Sequence, residues 1–157
     1  ALGRGRLLDT DGTPHRAPPN LASNGRLAGA QLLLVEDNDI NREFASELLR
    51  SEGIVVDEAI NGEQAVDQVQ RHDYDAVLMD VQMPVMDGLE ATRRIRNGEN
   101  PLGRIIPILA MTANAFDEDR ERCLAAGMDD HLGKPLEPDG FLEKVLYWLD
   151  KRMDATR

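Results

Sequence analysis

Ala76-Val77-Leu78-Met79-Asp80-Val81-Gln82-Met83-Pro84-Val85-Met86-Asp87-Gly88 sets an apolar run against a single carboxylate and follows it with a loop that ends in Asp-Gly. A run that is apolar at every position is expected of a central strand in a parallel sheet covered on both faces. Asp80 then stands at the C-terminal end of that strand, facing a loop. Three other segments end alike. Leu32-Leu33-Leu34-Val35 runs into Glu36-Asp37, Ile106-Pro107-Ile108-Leu109-Ala110-Met111 into Thr112, and His131-Leu132-Gly133 into Lys134-Pro135. In an open parallel sheet the strand C-termini share one edge, and ligands bind in the crevice there. Glu36, Asp37, Asp80, Thr112 and Lys134 are therefore expected to converge. Acids, a hydroxyl and an ammonium together suit a divalent cation and an incoming phosphoryl group.

Outward from this stretch the chain alternates apolar runs with helical patterns. The first strand is predicted over about 31–35, followed by a helix over about 40–51 that Asn38 or Asp39 caps. In that helix Phe44, Leu48 and Leu49 are expected on one inward face. Gly53 ends it, and a second strand covers 54–59. Asn61-Gly62 turns into a helix over 63–71 with Ala65, Val66 and Val69 inward. The third strand covers 76–79, a helix 88–96, a polar turn the residues up to Gly103, and a fourth strand 106–111. A helix over 115–126 stops at Gly127, a suitable left-handed terminator. A short fifth strand, 130–133, precedes a helix over 137–151 that buries Phe141, Leu142, Val145, Leu146 and Leu149. Five βα units in succession predict an α/β fold, a doubly wound parallel sheet with right-handed crossovers.

Composition narrows the function classes. The chain has 157 residues, enough for one domain with a core. Residues 1–29 contain five glycines and three prolines and no valine, isoleucine or aromatic residue, which predicts a flexible linker. Ala1 at the start suggests excision from a longer chain. Of 18 basic and 29 acidic residues, four arginines and two aspartates lie in 1–29, so 14 basic and 27 acidic remain beyond it. So negative a body repels nucleic acid, and no nucleic-acid partner is expected. No apolar run reaches the length of a membrane span, so no direct membrane contact is expected. The single cysteine, Cys123, permits no internal disulfide and fits the reducing cytoplasm, as a small core filler on a helix.

The order Glu36-Asp37-Asn38, Asp80 with Met83-Pro84 and Asp87-Gly88, Met111-Thr112-Ala113-Asn114-Ala115, Gly127-Met128-Asp129-Asp130 and Lys134-Pro135 resembles the response-regulator receiver domain. The likeness covers about 30–152, with 153–157 left as a C-terminal tail, and its wording is most similar to receivers of hybrid sensor histidine kinases. The resemblance implies a flavodoxin-like (βα)5 sheet of strand order 2-1-3-4-5 and a place in a two-component His–Asp phosphorelay. Asp80 would accept a phosphoryl group from a phosphohistidine of a histidine kinase, and a histidine phosphotransfer domain would be the next partner. Glu36, Asp37, Asp80 and the backbone carbonyl of Gln82 would hold Mg²⁺, Glu36 mostly through water. The metal is needed because two like charges near 4 Å repel by roughly 4 kcal/mol at an effective dielectric of about 20. Thr112 and Lys134 would bind phosphoryl oxygens. The bond before Pro135 is commonly cis in this family.

The output switch of such domains pairs Thr112 with an aromatic residue three positions before the lysine. Here that position is His131, either a working rotor or a partly exposed histidine on an edge strand, and a charged imidazole there would make the switch pH-sensitive. Ile40 is either part of a docking surface for a four-helix phosphotransfer partner or a lone exposed isoleucine. Asp87, Asp73, Asp75, Asp129 and Asp130 are expected as caps, turn formers or surface residues. Three other functions compete: a stand-alone response regulator, a receiver-like shell without phosphorylation, and a haloacid-dehalogenase-like aspartyl-phosphate phosphatase. The last needs an acid two residues after the nucleophile, where this chain has Gln82.

Overall fold

The computed structural model describes residues 29–83, 85–113, 117–134 and 136–155. Residues 1–28 of the predicted linker, Pro84, Asn114-Ala115 and the bond before Pro135 lie outside them. Five parallel strands, β1 (Gln31–Val35), β2 (Val55–Ala59), β3 (Ala76–Asp80), β4 (Ile108–Thr112) and β5 (Asp130–Gly133), form one sheet in the order β2-β1-β3-β4-β5. The helices are α1 (Asp39–Arg50), α2 (Gly62–Arg71), α3 (Gly88–Arg96), α4 (Asp117–Ala126) and α5 (Pro138–Ala155). The polar turn before β4 is a short 3-10 helix, Pro101–Arg104, capped by the Asn100 side chain.

Alternation along each strand divides the core in two. Leu32, Leu34, Leu78, Leu109, Met111 and Leu132 pack against α1 and α5 through Ala45, Leu49, Phe141, Val145 and Leu149. Leu33, Val35, Val77, Met79, Ile108 and Ala110 face α2, α3 and α4 through Ala65, Val69, Leu89, Ile95, Cys123 and Ala126. β1, β3 and β4 are therefore covered on both faces, as their unbroken apolar runs require. Val66 and Leu142 pack at the margin of the two clusters.

One expected inward residue is not inward. Phe44 is 43% exposed, and the buried stripe of α1 is Ala45, Ser46 and Leu49. The adjacent pair Leu48-Leu49 fits two helical phases, and Phe44 belongs to the outer one. The strand before Thr112 also starts later than predicted, because Pro107 has no N–H for a ladder, and it runs through Thr112. α5 continues to Ala155, beyond the predicted end.

The loops at the C-terminal edge are fixed by caps. Asn38, Asn61 and Asp87 each accept a hydrogen bond from the backbone N–H three residues on, at the starts of α1, α2 and α3. Such caps contribute about 1 kcal/mol each. Asp129 and Asp130 do more than lie on the surface. Asp129 accepts from the Ile108 N–H and pairs with Arg96 at 2.9 Å. Asp130 accepts from the Trp148 indole N–H. Asp75 accepts from the Gln31 N–H, tying β1 to the approach to β3.

Candidate active site

The first shared feature of the edge is a turn. Glu36 follows β1, its N–H donating to the Ala59 carbonyl at 3.0 Å, and its side chain folds back so that Oε2 accepts from the Asn38 N–H at 3.1 Å. That turn leaves Glu36 buried and Asp37 exposed. Asp80 ends β3 at 3% exposure, held there because Gly88 brings α3 against its carbonyl. One carboxylate oxygen from each of Glu36, Asp37 and Asp80 lies within 4.8 Å of the others. From the end of β5, Lys134 Nζ reaches Glu36 Oε1 at 2.8 Å and Asp80 Oδ2 at 3.2 Å. The Gln82 N–H donates to Asp80 Oδ1 at 3.1 Å. Both oxygens of Asp80 are thus oriented, one by an ammonium and one by a backbone amide.

Electrostatics make this cluster unusual. Burial, then a shared hydrogen bond with Glu36 and the charge of Glu36, push the Asp80 carboxyl up to about 7, against the opposing pull of Lys134 and the Gln82 N–H. Burial works against the charge on Lys134, yet Glu36 and Asp80 outweigh it and raise its pKa. Three carboxylates against one ammonium leave an excess of negative charge in a desolvated place, which calls for a cation. Glu36 Oε1 is buried and ion-paired with the Lys134 ammonium at 2.8 Å. A hard, oxygen-only donor set whose charge a single ammonium does not balance fits a divalent ion of the Mg²⁺ or Ca²⁺ kind.

Thr112, at the end of β4, is 6% exposed, and its carbonyl accepts from the Lys134 N–H at 2.9 Å. It lines a cavity of about 520 Å³ together with Gln82, Met83, Asp87 and Arg122. Glu36, Asp37, Asp80, Gln82, Thr112 and Lys134 are therefore gathered on one edge. His131 is not in that group. It is half-buried on β5 in register with Ala110, its Nδ1 lies 3.6 Å from Asp130 Oδ1, and its carbonyl accepts from Lys144 Nζ at 2.8 Å. Burial, then the charges of Lys144 and Arg120, lower its pKa.

Beside the acids, Ile40 (80% exposed) and Phe44 line a cavity of about 610 Å³ with Asn41, Ala113, Lys134 and Leu136. An open apolar surface of this kind next to the acid cluster suits a docked protein. Phe44 had no place in the sequence reading of the site. Its signal was available only as a second large apolar position one turn after Ile40.

The likeness to known proteins agrees with this geometry. The model of the response regulator receiver domain matches residues 32–146. Histidine kinase 3 of Arabidopsis thaliana is 35% identical over 160 residues, 90% of this chain and 15% of that protein. The chain thus spans about 12–15% of the length of the plant histidine kinases it matches. The receiver domain of a Pseudomonas aeruginosa sensor histidine kinase, solved with a magnesium ion in its active site cleft, is 47% identical with a TM-score of 0.72, over 78% of this chain and 99% of that one. A Saccharomyces cerevisiae response regulator's receiver domain, solved with a histidine phosphotransfer protein, is 31% identical with a TM-score of 0.71, over 77% of this chain and 89% of that one. On these matches, and on the five-stranded sheet with its acids at one edge, the chain belongs to the response-regulator receiver domain family and is a module of two-component phosphorelays.

Proposed function

We propose that Asp80 is the phosphoacceptor, taking its phosphoryl group from a phosphohistidine of a histidine kinase and passing it to a histidine phosphotransfer domain. The observation that carries this reading is the raised, doubly oriented carboxyl of Asp80 between Glu36 and Lys134. In the transfer one Asp80 oxygen forms a bond to phosphorus while the phosphorus–nitrogen bond of the donor breaks. The imidazole leaves with the bonding pair. Lys134 neutralises charge on the phosphoryl oxygens, and the Thr112 hydroxyl donates to another of them. Glu36, Asp37, Asp80 and the Gln82 carbonyl hold Mg²⁺, which when bound offsets the carboxylate charge that would repel the phosphoryl group.

The mutual positions of Ile40, Phe44 and Leu136 support docking of the phosphotransfer partner over the site. We assign the switch to Thr112 and His131, with His131 following Thr112 once Asp80 is esterified. The parent is read as a hybrid histidine kinase, in keeping with the relatives matched, and the exchange is placed in the cytoplasm, where the free thiol of Cys123 stays reduced. Among the described residues no helix is long and apolar enough to cross a membrane.

The test is incubation with acetyl phosphate and Mg²⁺ followed by intact-mass and peptide mass spectrometry. The expected result is one phosphoryl adduct on Asp80, absent from D80N. An unlabelled wild type, or a D80N protein that labels as well, overturns the assignment. I40D should still label from acetyl phosphate while losing exchange with a histidine phosphotransfer protein.

A further inference from the structure

Asp37 presents its carboxylate to the acid cluster from an exposed position, and among the described residues that carboxylate makes no hydrogen bond of its own. Its aim is therefore set by the backbone of the turn from which it hangs. The peptide unit joining Glu36 to Asp37 carries the Glu36 carbonyl, and that carbonyl accepts a hydrogen bond from Arg42 Nη1 at 2.9 Å. Arg42 lies one turn into α1 with only 16% of its side chain exposed. Its other two nitrogens are also engaged. Nε donates to Glu58 Oε1 at 3.1 Å beyond the middle of β2, and Nη2 pairs with Asp39 in the first turn of α1. One planar guanidinium thus joins the β1–α1 turn, the helix after it and the edge strand, with each nitrogen on a different partner. A guanidinium suits this task because its donors are fixed in a plane, so two acids that hold it also set the direction of the third bond.

We infer that Arg42 is a positioning residue for the metal site: by holding the Glu36–Asp37 peptide it sets the direction of the Asp37 carboxylate and so the affinity for Mg²⁺. The inference rests on the reading that Glu36, Asp37 and Asp80 hold that ion. Two consequences of removing Arg42 have opposite sign. Loss of a positive charge near the acids tightens cation binding, whereas loss of the clamp lets the peptide rotate and weakens it. The clamp dominates, because groups that orient ligands from outside the coordination sphere typically change metal affinity by roughly tenfold or more, and the R50Q control reads the charge effect separately.

The test is Mg²⁺ titration followed by backbone amide shifts, on the wild type, R42Q, R42K and R50Q. Arg50 sits on the same helix and pairs with the same Glu58 but makes no bond to the turn, so R50Q removes a charge and spares the clamp. R42Q is expected to bind Mg²⁺ about tenfold more weakly, R42K to lie between it and the wild type, and R50Q to bind at least as tightly as the wild type. Should R42Q prove poorly folded in its amide spectrum, R42K, which keeps a cation between Asp39 and Glu58, carries the comparison. R42Q and R42K affinities equal to or tighter than wild type overturn the role of Arg42 and leave the Mg²⁺ site standing, as does an R50Q loss equal to that of R42Q. A wild type with no saturable Mg²⁺ binding defeats both.

Discussion

Replacing Asp80 by asparagine should stabilise the metal-free protein, and by an amount that grows with pH. In the wild type at pH 8, Asp80 lies within 4.8 Å of two other carboxylates and 3.2 Å from one ammonium. At an effective dielectric of about 20 each repulsion costs roughly 3.5 kcal/mol or more and the attraction returns roughly 5 kcal/mol. A net repulsion of about 2 kcal/mol remains. Converted directly, a pKa pushed up to about 7 from 3.8 corresponds to about 4 kcal/mol. Both routes agree in sign. A carboxyl whose pKa rises on folding holds its proton more tightly in the native state than in the unfolded chain, so stability is greatest below the unfolded pKa and falls as pH rises through the folded one. D80N removes that loss. Urea unfolding followed by far-ultraviolet circular dichroism, in EDTA, should show a gain of about 2–4 kcal/mol at pH 8 and of about 1 kcal/mol or less at pH 4.5. A D80N protein no more stable at pH 8, or equally stabilised at both pH values, refutes the account of the cluster.

Val85 holds φ at 71°, a conformation in which a β-branched residue is strained, and it is 78% exposed, so little burial is at stake. V85N should raise the unfolding free energy by about 1 kcal/mol, and a lower urea midpoint would contradict this. At Gly88 an added Cβ would stand 2.2 Å from the Asp80 carbonyl oxygen and 2.9 Å from Met79 Cγ. G88A should therefore cost about 1–3 kcal/mol and slow labelling of Asp80 by acetyl phosphate; unchanged labelling and stability would show that α3 backs away freely. The His131 pKa is lowered, by burial first and then by Lys144 and Arg120, with Asp130 opposing. The unfolded chain then takes up its proton first as pH falls below the ordinary histidine value, so this residue removes stability on acidification. Acidification also relieves Asp80, so the readout is the change in slope: between pH 7 and pH 5 H131F should gain more stability, or lose less, than wild type in the same unfolding curves, and an identical slope would rule the histidine out as a contributor.

The parallel sheet and its reactive edge were legible because both follow from short-range pattern. Unbroken runs such as Ala76–Met79 need cover on two faces, and that forces helices onto both sides of the sheet. The chemistry-bearing residues could then be placed by topology alone, since each directly follows a strand. Phase within a helix was less legible. Leu48-Leu49 satisfies two stripes, and which one is buried depends on how α1 meets β2, so Phe44 was misplaced. The capped 3-10 turn at Pro101 had a signal in Asn100-Pro101 that was not used. Least legible were the long charged side chains. Arg42, which grips the Glu36 carbonyl, and Arg96, which donates to the carbonyls of Gly103, Ile106 and Gly127, join segments far apart in sequence. No periodicity marks such a residue, because its partners are backbone atoms that every residue carries.

Trp148 is the sole tryptophan of the chain. Its indole N–H donates to Asp130 at 3.0 Å, directly before His131, and the ammonium of Lys151 lies 5.2 Å from its ring centroid. The molecule thereby carries an intrinsic optical probe at the outer edge of the sheet, with no competing chromophore of its kind. A shift of β5 by even a fraction of an ångström must alter that bond and the field across the ring. Steady-state emission then reads any movement of β5 in unlabelled protein, in real time and at low concentration.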